Sequence, residues 1–204
     1  MIRFIFALII ILITNISLSF GQEKLISFNL GYGKTTDVVM PNFDSPFQND
    51  NSKFIGLGLG YDYKPKNAFF RLKSGLSYDY RKYPGGSSFN YIRLPIGFDF
   101  IFGKRIQPYF GFGFFGSYLF HYEFDDRYVE INTFQLGLTG NIGIDFKISE
   151  KFRVDIGCQR SFDLSSMYTY QTSTLPHPGI FVENSSKGGE KYFTLGIKYQ
   201  LKVK

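Results

Sequence analysis

Apolar and polar residues alternate with a period of two along most of this chain. Residues 24–33 set Ile26, Phe28, Leu30 and Tyr32 against Ser27, Asn29, Gly31 and Gly33. The pattern recurs at 53–63, 68–81, 90–102, 107–120, 132–146, 152–164 and 191–203. Such alternation marks strands with one apolar face, and eight strands are predicted. The stretch FGFGFFGSYLF (Phe110–Phe120) is the most pronounced, with Phe110, Phe112, Phe114, Tyr118 and Phe120 on one side. No segment past residue 22 shows helical periodicity.

The connections alternate as well. Those at 64–67, 103–106 and 147–151 are tight, while those at 34–52, 82–89, 121–131 and 165–190 are long and rich in Pro, Ser, Asn and acidic residues. Short turns on one rim and long loops on the other, with an even strand number, describe a transmembrane barrel with both termini on the periplasmic side. The expected fold is therefore all-β, an eight-stranded antiparallel up-and-down transmembrane β-barrel.

A soluble carrier barrel would turn its apolar face inward around a lipophilic ligand, whereas a membrane barrel turns it outward. Three features favour the membrane reading. The polar face carries many small residues, among them Gly56, Gly58, Gly60, Gly97, Gly111 and Gly113, as a narrow lumen requires. Its charges also nearly balance: Arg71, Lys73, Arg81, Arg93, Arg153 and Lys198 face Asp62, Asp79, Asp99, Asp145, Asp155 and Asp163. Buried charges need such partners. Tyrosines (Tyr32, Tyr61, Tyr63, Tyr78, Tyr80, Tyr118, Tyr199) gather toward strand ends, where amphipathic rings meet a membrane–water interface. Arg160 falls on the lipid face and is expected near an interface. Pro95, inside a strand, predicts a bulge at that point, and Phe115 and Leu119 point inward on this register.

Composition adds an export signal and removes several functions. Arg3 followed by FIFALIIILI and then TNISLSFG reads as a signal peptide over 1–21, with cleavage before Gln22 and a barrel domain over 22–204. The apolar run is too short for a spanning helix. The net charge of +6 is spread along the chain, with no basic block for nucleic acid. A single cysteine, Cys158, excludes an intrachain disulfide and a cysteine metal cluster.

NYIRLPIGFDF (Asn90–Phe100), followed by IQPYFGFGFFGSYLF (Ile106–Phe120), resembles the PorT-like outer-membrane β-barrel family. Tyr91, Leu94, Pro95, Ile96, Pro108, Tyr109, Gly111, Gly113 and Gly116 carry the resemblance. The motif is structural, and the chain departs from the pattern at its C-terminus, YQLKVK, where an aromatic residue is common. The resemblance implies an outer-membrane barrel. The secretion role of the founding members is not carried over.

No catalytic site is predicted. Lipid A deacylases of similar size use a His-x-Ser-Asn setting, and neither His121 in FHYEF nor His177 in LPHPG has it. His121 with Glu123, Asp125 and Asp126 reads as solvated loop polarity and Cys158 as a small lipid-facing residue. GLGLG (Gly56–Gly60) is barrel wall, not a phosphate cradle. The expectation is an outer-membrane protein with a structural or interaction role through its surface loops, without catalytic, cofactor or metal site. Its expected partners are outer-membrane lipids and, through the long loops, other envelope proteins. The alternatives are a lipid-modifying enzyme of the outer membrane and a soluble carrier of lipophilic ligands.

Overall fold

The computed structural model describes residues 23–38, 52–82, 88–123, 129–165, 168–173 and 181–201. The signal segment 1–21 and His177 lie outside the described residues. Ten strands form: β1 (Glu23–Val38), β2 (Lys53–Lys64), β3 (Phe70–Lys82), β4 (Ser88–Ile101), β5 (Ile106–Glu123), β6 (Val129–Ile131), β7 (Phe134–Lys147), β8 (Phe152–Asp163), β9 (Tyr168–Ser173) and β10 (Phe181–Gln200). There is no helix among the described residues.

Eight of these strands close a barrel in the order β1-β2-β3-β4-β5-β7-β8-β10, and β10 pairs with β1 to seal it. All pairings are antiparallel. The register can be followed once round the wall from Tyr80 through Ile55, Tyr32, Phe193, Cys158, Ile142, Phe110 and Phe100 to Phe70. The path returns to β3 well below its start, so the strands tilt as closure demands. Every residue on that path is apolar or aromatic apart from Cys158, and this line is the lipid-facing surface.

The eight predicted strands are the barrel strands, and the outer ends of β1, β3, β4, β5 and β10 run further than the alternation indicates. The N-terminal part of β10 rises past the barrel and pairs with β9, which pairs with β6. Segments expected as loops, 121–131 and 165–190, thus contribute a small antiparallel extension above the long-loop rim. The short-turn rim is tied where the chain ends meet: Leu201 N–H donates to Lys24 O at 2.8 Å and Gln200 N–H to Lys151 O at 2.7 Å.

The bulge expected at Pro95 is not there. Pro95 keeps its place opposite Phe115, and Ser74–Ile96 and Ser77–Arg93 share one register on the β3 side. The ladder simply loses the rungs opposite Leu94 and Pro95, which spares a closed wall an inserted residue. The irregularity sits instead between Asn90 and Tyr91, which pair with His121 and Leu119 and leave Phe120 as the extra residue. Below it, Leu119 and Phe115 are buried inside, as the register of β5 requires. Above it, His121, Tyr122 and Glu123 are all exposed.

Candidate functional site

Alternation alone decides what fills the barrel. Odd positions of β3, β4, β7 and β8 and even positions of β2 and β10 point inward, so all twelve charged side chains singled out in the sequence face the lumen. They sort into two layers. Near the short turns Arg71, 1% exposed, donates to Asp145 at 2.6 Å and Asp99 at 2.8 Å, and its Nε lies 3.5 Å from Asp62. Lys198 reaches Asp145 and Asp155 at 3.1 Å and Asp62 at 3.3 Å. Lys73 lies 3.3 Å from Asp99, and Arg153 donates to Gln107 at 2.6 Å and Glu23 at 2.8 Å.

Near the long loops a second layer joins Arg81 to Asp163 at 3.1 Å and to Glu190. Arg93 bonds Asp79 and Glu190, each at 2.8 Å. The Arg81–Asp163 and Arg93–Glu190 bonds cross the cylinder, since β3 and β8, like β4 and β10, lie on opposite sides of the eight-strand ring. Buried guanidinium–carboxylate pairs of this kind hold when their remaining donors and acceptors are met.

Aromatic rings support both layers. Tyr109 donates to Asp155 at 3.0 Å, while Arg71, Lys73 and Lys198 lie 5.4–5.7 Å from its ring. Tyr91, fully buried, carries Arg81 at 4.3 Å over its ring and accepts a bond from Gln135 at 3.1 Å. Arg93 sits 4.1 Å over Phe115. Arg71, Arg81, Arg93 and Lys198 are thus buried cations held against ring faces. Phe89, Tyr91 and Leu119 form an apolar cluster at the upper end. Sequence reading missed the two tyrosines as lumen residues, although Tyr109 shares its parity with Gly111 and Tyr91 with Arg93. It also missed Glu190, which lay in a presumed loop, and Glu23.

Between the layers lies a cavity of about 150 Å³ lined by Asn29, Gly58, Gly75, Gly97, Gly113 and Ser77 among others. The glycines set how closely the wall coils. A Cβ added to Gly97 meets Phe112 O at 2.8 Å, and one added to Gly113 meets Ile96 O at 2.5 Å. On the outside, Phe114 and Phe193 are 64% and 70% exposed, and most outward side chains between the rims are apolar.

The other singled-out residues lie off this interior. His121 is exposed, with Nε2 4.0 Å from Glu123, to which Ser88 Oγ on the neighbouring strand donates at 3.3 Å. Cys158 is exposed on the outer wall. Arg160 also faces outward and stacks on Phe162 at 4.5 Å. No group of three or more His, Cys, Asp or Glu side chains suited to a metal occurs among the described residues.

A closed cylinder with an apolar exterior and a sealed ionic interior is a transmembrane β-barrel. The soluble-carrier reading fails on this geometry, because its lumen would have to be the apolar side. The family model described as outer membrane protein beta-barrel domain matches residues 15–200, and the chain belongs to that family. It is a protein of the bacterial outer membrane.

Among solved structures it is similar to Neisserial surface protein A, at TM-score 0.54 and 12% identity over 89% of this chain and 99% of that one. It is similar to AlkL, solved by solid-state NMR in lipid bilayers, at TM-score 0.53 and 14% identity over 91% and 94%. OprG from Pseudomonas aeruginosa gives TM-score 0.51 and 12% identity over 90% and 97%. At these identities the likeness is one of fold. No curated protein matches the chain in sequence.

Proposed function

We propose that this barrel serves a structural or interaction role through its extracellular side and carries no catalytic centre. The observation that supports this most is the division of labour along the axis. The lumen is spent on ion pairs that span it, while the wall extends past the long-loop rim as the β10-β9-β6 sheet. A sheet built from two surface connections is a platform for an envelope partner. Among the described residues the inward carboxylates Asp62, Asp79, Asp99, Asp145, Asp155, Asp163 and Glu190 are engaged by arginine or lysine. His121 has Glu123 beside it, and the Ser88 that donates to this carboxylate stands on the neighbouring strand and not two residues after the histidine as in the deacylase setting.

The test places a photo-crosslinking residue at positions within 166–187 in intact cells. Discrete adducts are expected, disappearing when that segment is replaced by a short Gly-Ser turn while heat-modifiable gel mobility persists. Absence of adducts, together with altered lipid A masses on deletion of the protein, would favour the lipid-modifying reading instead.

Two finer assignments join this proposal. The PorT-like branch is supported by the motif itself, since its Tyr91 and Tyr109 are the rings on which the two ionic layers rest. Export is assigned to residues 1–21, with a mature chain starting at Gln22, which the intact mass of the membrane-extracted protein checks.

A further inference from the structure

The outer wall is not uniform around its circumference. Five neighbouring strands, β3, β2, β1, β10 and β8, contribute outward basic residues to one row at successive register positions: Lys82, Lys53, Lys34, Lys191 and Arg160. Lys82 pairs with Lys53, Lys34 with Lys191, and Lys191 with Arg160. The gap between Lys53 and Lys34 is bridged on either side, by the Gly33–Phe54 pair and by Ser52 Oγ donating to Thr35 O at 2.8 Å. All five side chains are exposed. The remaining three barrel strands, β4, β5 and β7, have no outward cation among the described residues between the two rims.

What lies beneath the row gives it meaning. One outward position lower on the same strands come Tyr80, Ile55, Tyr32, Phe193 and Cys158, and lower again Tyr78, Leu57, Leu30, Leu195 and Ile156. Cations above an aromatic-rich line above an aliphatic line is the order of headgroup, interface and acyl chain. The row slopes with the strand tilt. At a spacing of about 4.8 Å and a tilt near 40° it descends roughly 12 Å from Lys82 to Arg160. Arg160 leans back over Phe162, which is nearer the long-loop rim, so its charge is carried upward.

We propose that this arc is a docking surface for a phosphate-bearing lipid of the outer leaflet, its phosphates held by Lys53, Lys34, Lys191 and Arg160 and its acyl chains laid on the apolar wall below. The inference goes beyond the interaction role of the loops and does not depend on it. Five cations at one edge of a hydrocarbon-facing surface match a phosphorylated glycolipid, in which anionic groups sit directly above several acyl chains. Soluble anions have no use for the lines beneath.

The experiment uses the detergent-extracted full barrel in native mass spectrometry, with bisphosphorylated lipid A, the dephosphorylated lipid and phosphatidylcholine as probes. The K34Q/K53Q/K191Q/R160Q variant is compared with wild type and with K66Q/K104Q/K151Q, which removes charges from the short turns. Heat-modifiable mobility shows that each has folded. The proposal expects preferential retention of bisphosphorylated lipid A, at least a tenfold loss in the first variant and no loss in the second. Inorganic phosphate at millimolar concentration is expected not to displace the lipid. Equal binding by the folded first variant and wild type overturns the proposal, as does an equal loss in both variants or displacement by phosphate alone.

Discussion

The two ends of the lumen hold buried charge by different means. Near the short turns the network is redundant: Asp145 meets Arg71, Lys198 and Arg153, and Asp62 meets Arg71 and Lys198. Near the long loops one residue is the hub, since Glu190 meets both Arg81 and Arg93, with Asp163 and Asp79 each meeting one of them. The upper layer is padded by Phe89, Tyr91, Phe115 and Leu119, all buried, and the lower by polar Gln107 and Asn141. Redundancy spreads the consequence of a lost group, while a hub concentrates it.

The largest expected effect follows directly. Glu190→Leu leaves two buried guanidiniums short of a partner, a change worth about 3–5 kcal/mol of barrel stability. Asp62→Asn leaves Arg71 and Lys198 with their other carboxylates and is expected to cost roughly 1–2 kcal/mol, the scale of a charged hydrogen bond. Urea titration in lipid vesicles, followed by the mobility difference of folded and unfolded forms on unheated gels, measures both without tryptophan, which this chain lacks. Equal losses would show that the two layers do not differ in redundancy.

Why one layer was readable in the sequence and the other only in part has a physical cause. Parity assigned twelve charged residues to the lumen because they alternate with outward neighbours that are mostly apolar. Glu190 lies in ENSSKGGEK, on the stretch where β10 leaves the bilayer. There the outer face no longer meets hydrocarbon and the apolar alternation that reveals a strand disappears. β6 and β9 went unseen for the same reason. Tyr91 and Tyr109 were legible by position but not by chemistry, since tyrosine is equally at home at an interface and on a buried cation. Pro95 shows the converse: its chemistry was read correctly, yet the wall tolerates missing rungs and places its bulge elsewhere.

The tyrosines sharpen the comparison at a smaller scale. Tyr109→Phe deletes a hydroxyl that donates to the buried carboxylate of Asp155 at 3.0 Å, and bonds to charged groups contribute about 1.5–3 kcal/mol. Tyr91→Phe deletes an acceptor for the neutral amide of Gln135 at 3.1 Å and is expected to cost about 1 kcal/mol. Both keep the ring beneath its cations, so the same urea titration isolates the hydroxyls. A larger loss at Tyr91 would mean that the upper layer depends on its polar contacts more than on its padding.

The smallest effect is expected between the layers, where the cavity separates them. A methyl added at Gly58 finds Ser77 Cβ at 3.5 Å and Leu76 O at 3.8 Å, ordinary contacts, and points into free volume. Gly58→Ala should therefore lie within about 0.5 kcal/mol of wild type, with any gain arising from the lower entropy of the unfolded chain. Gly113→Ala drives the same methyl against Ile96 O on the neighbouring strand, a backbone atom that can retreat only by opening the wall. Its expected cost is about 1–3 kcal/mol. If Gly58→Ala proved as damaging as Gly113→Ala, the middle of the lumen would be packed rather than hollow, and the two ionic layers would be one continuous plug.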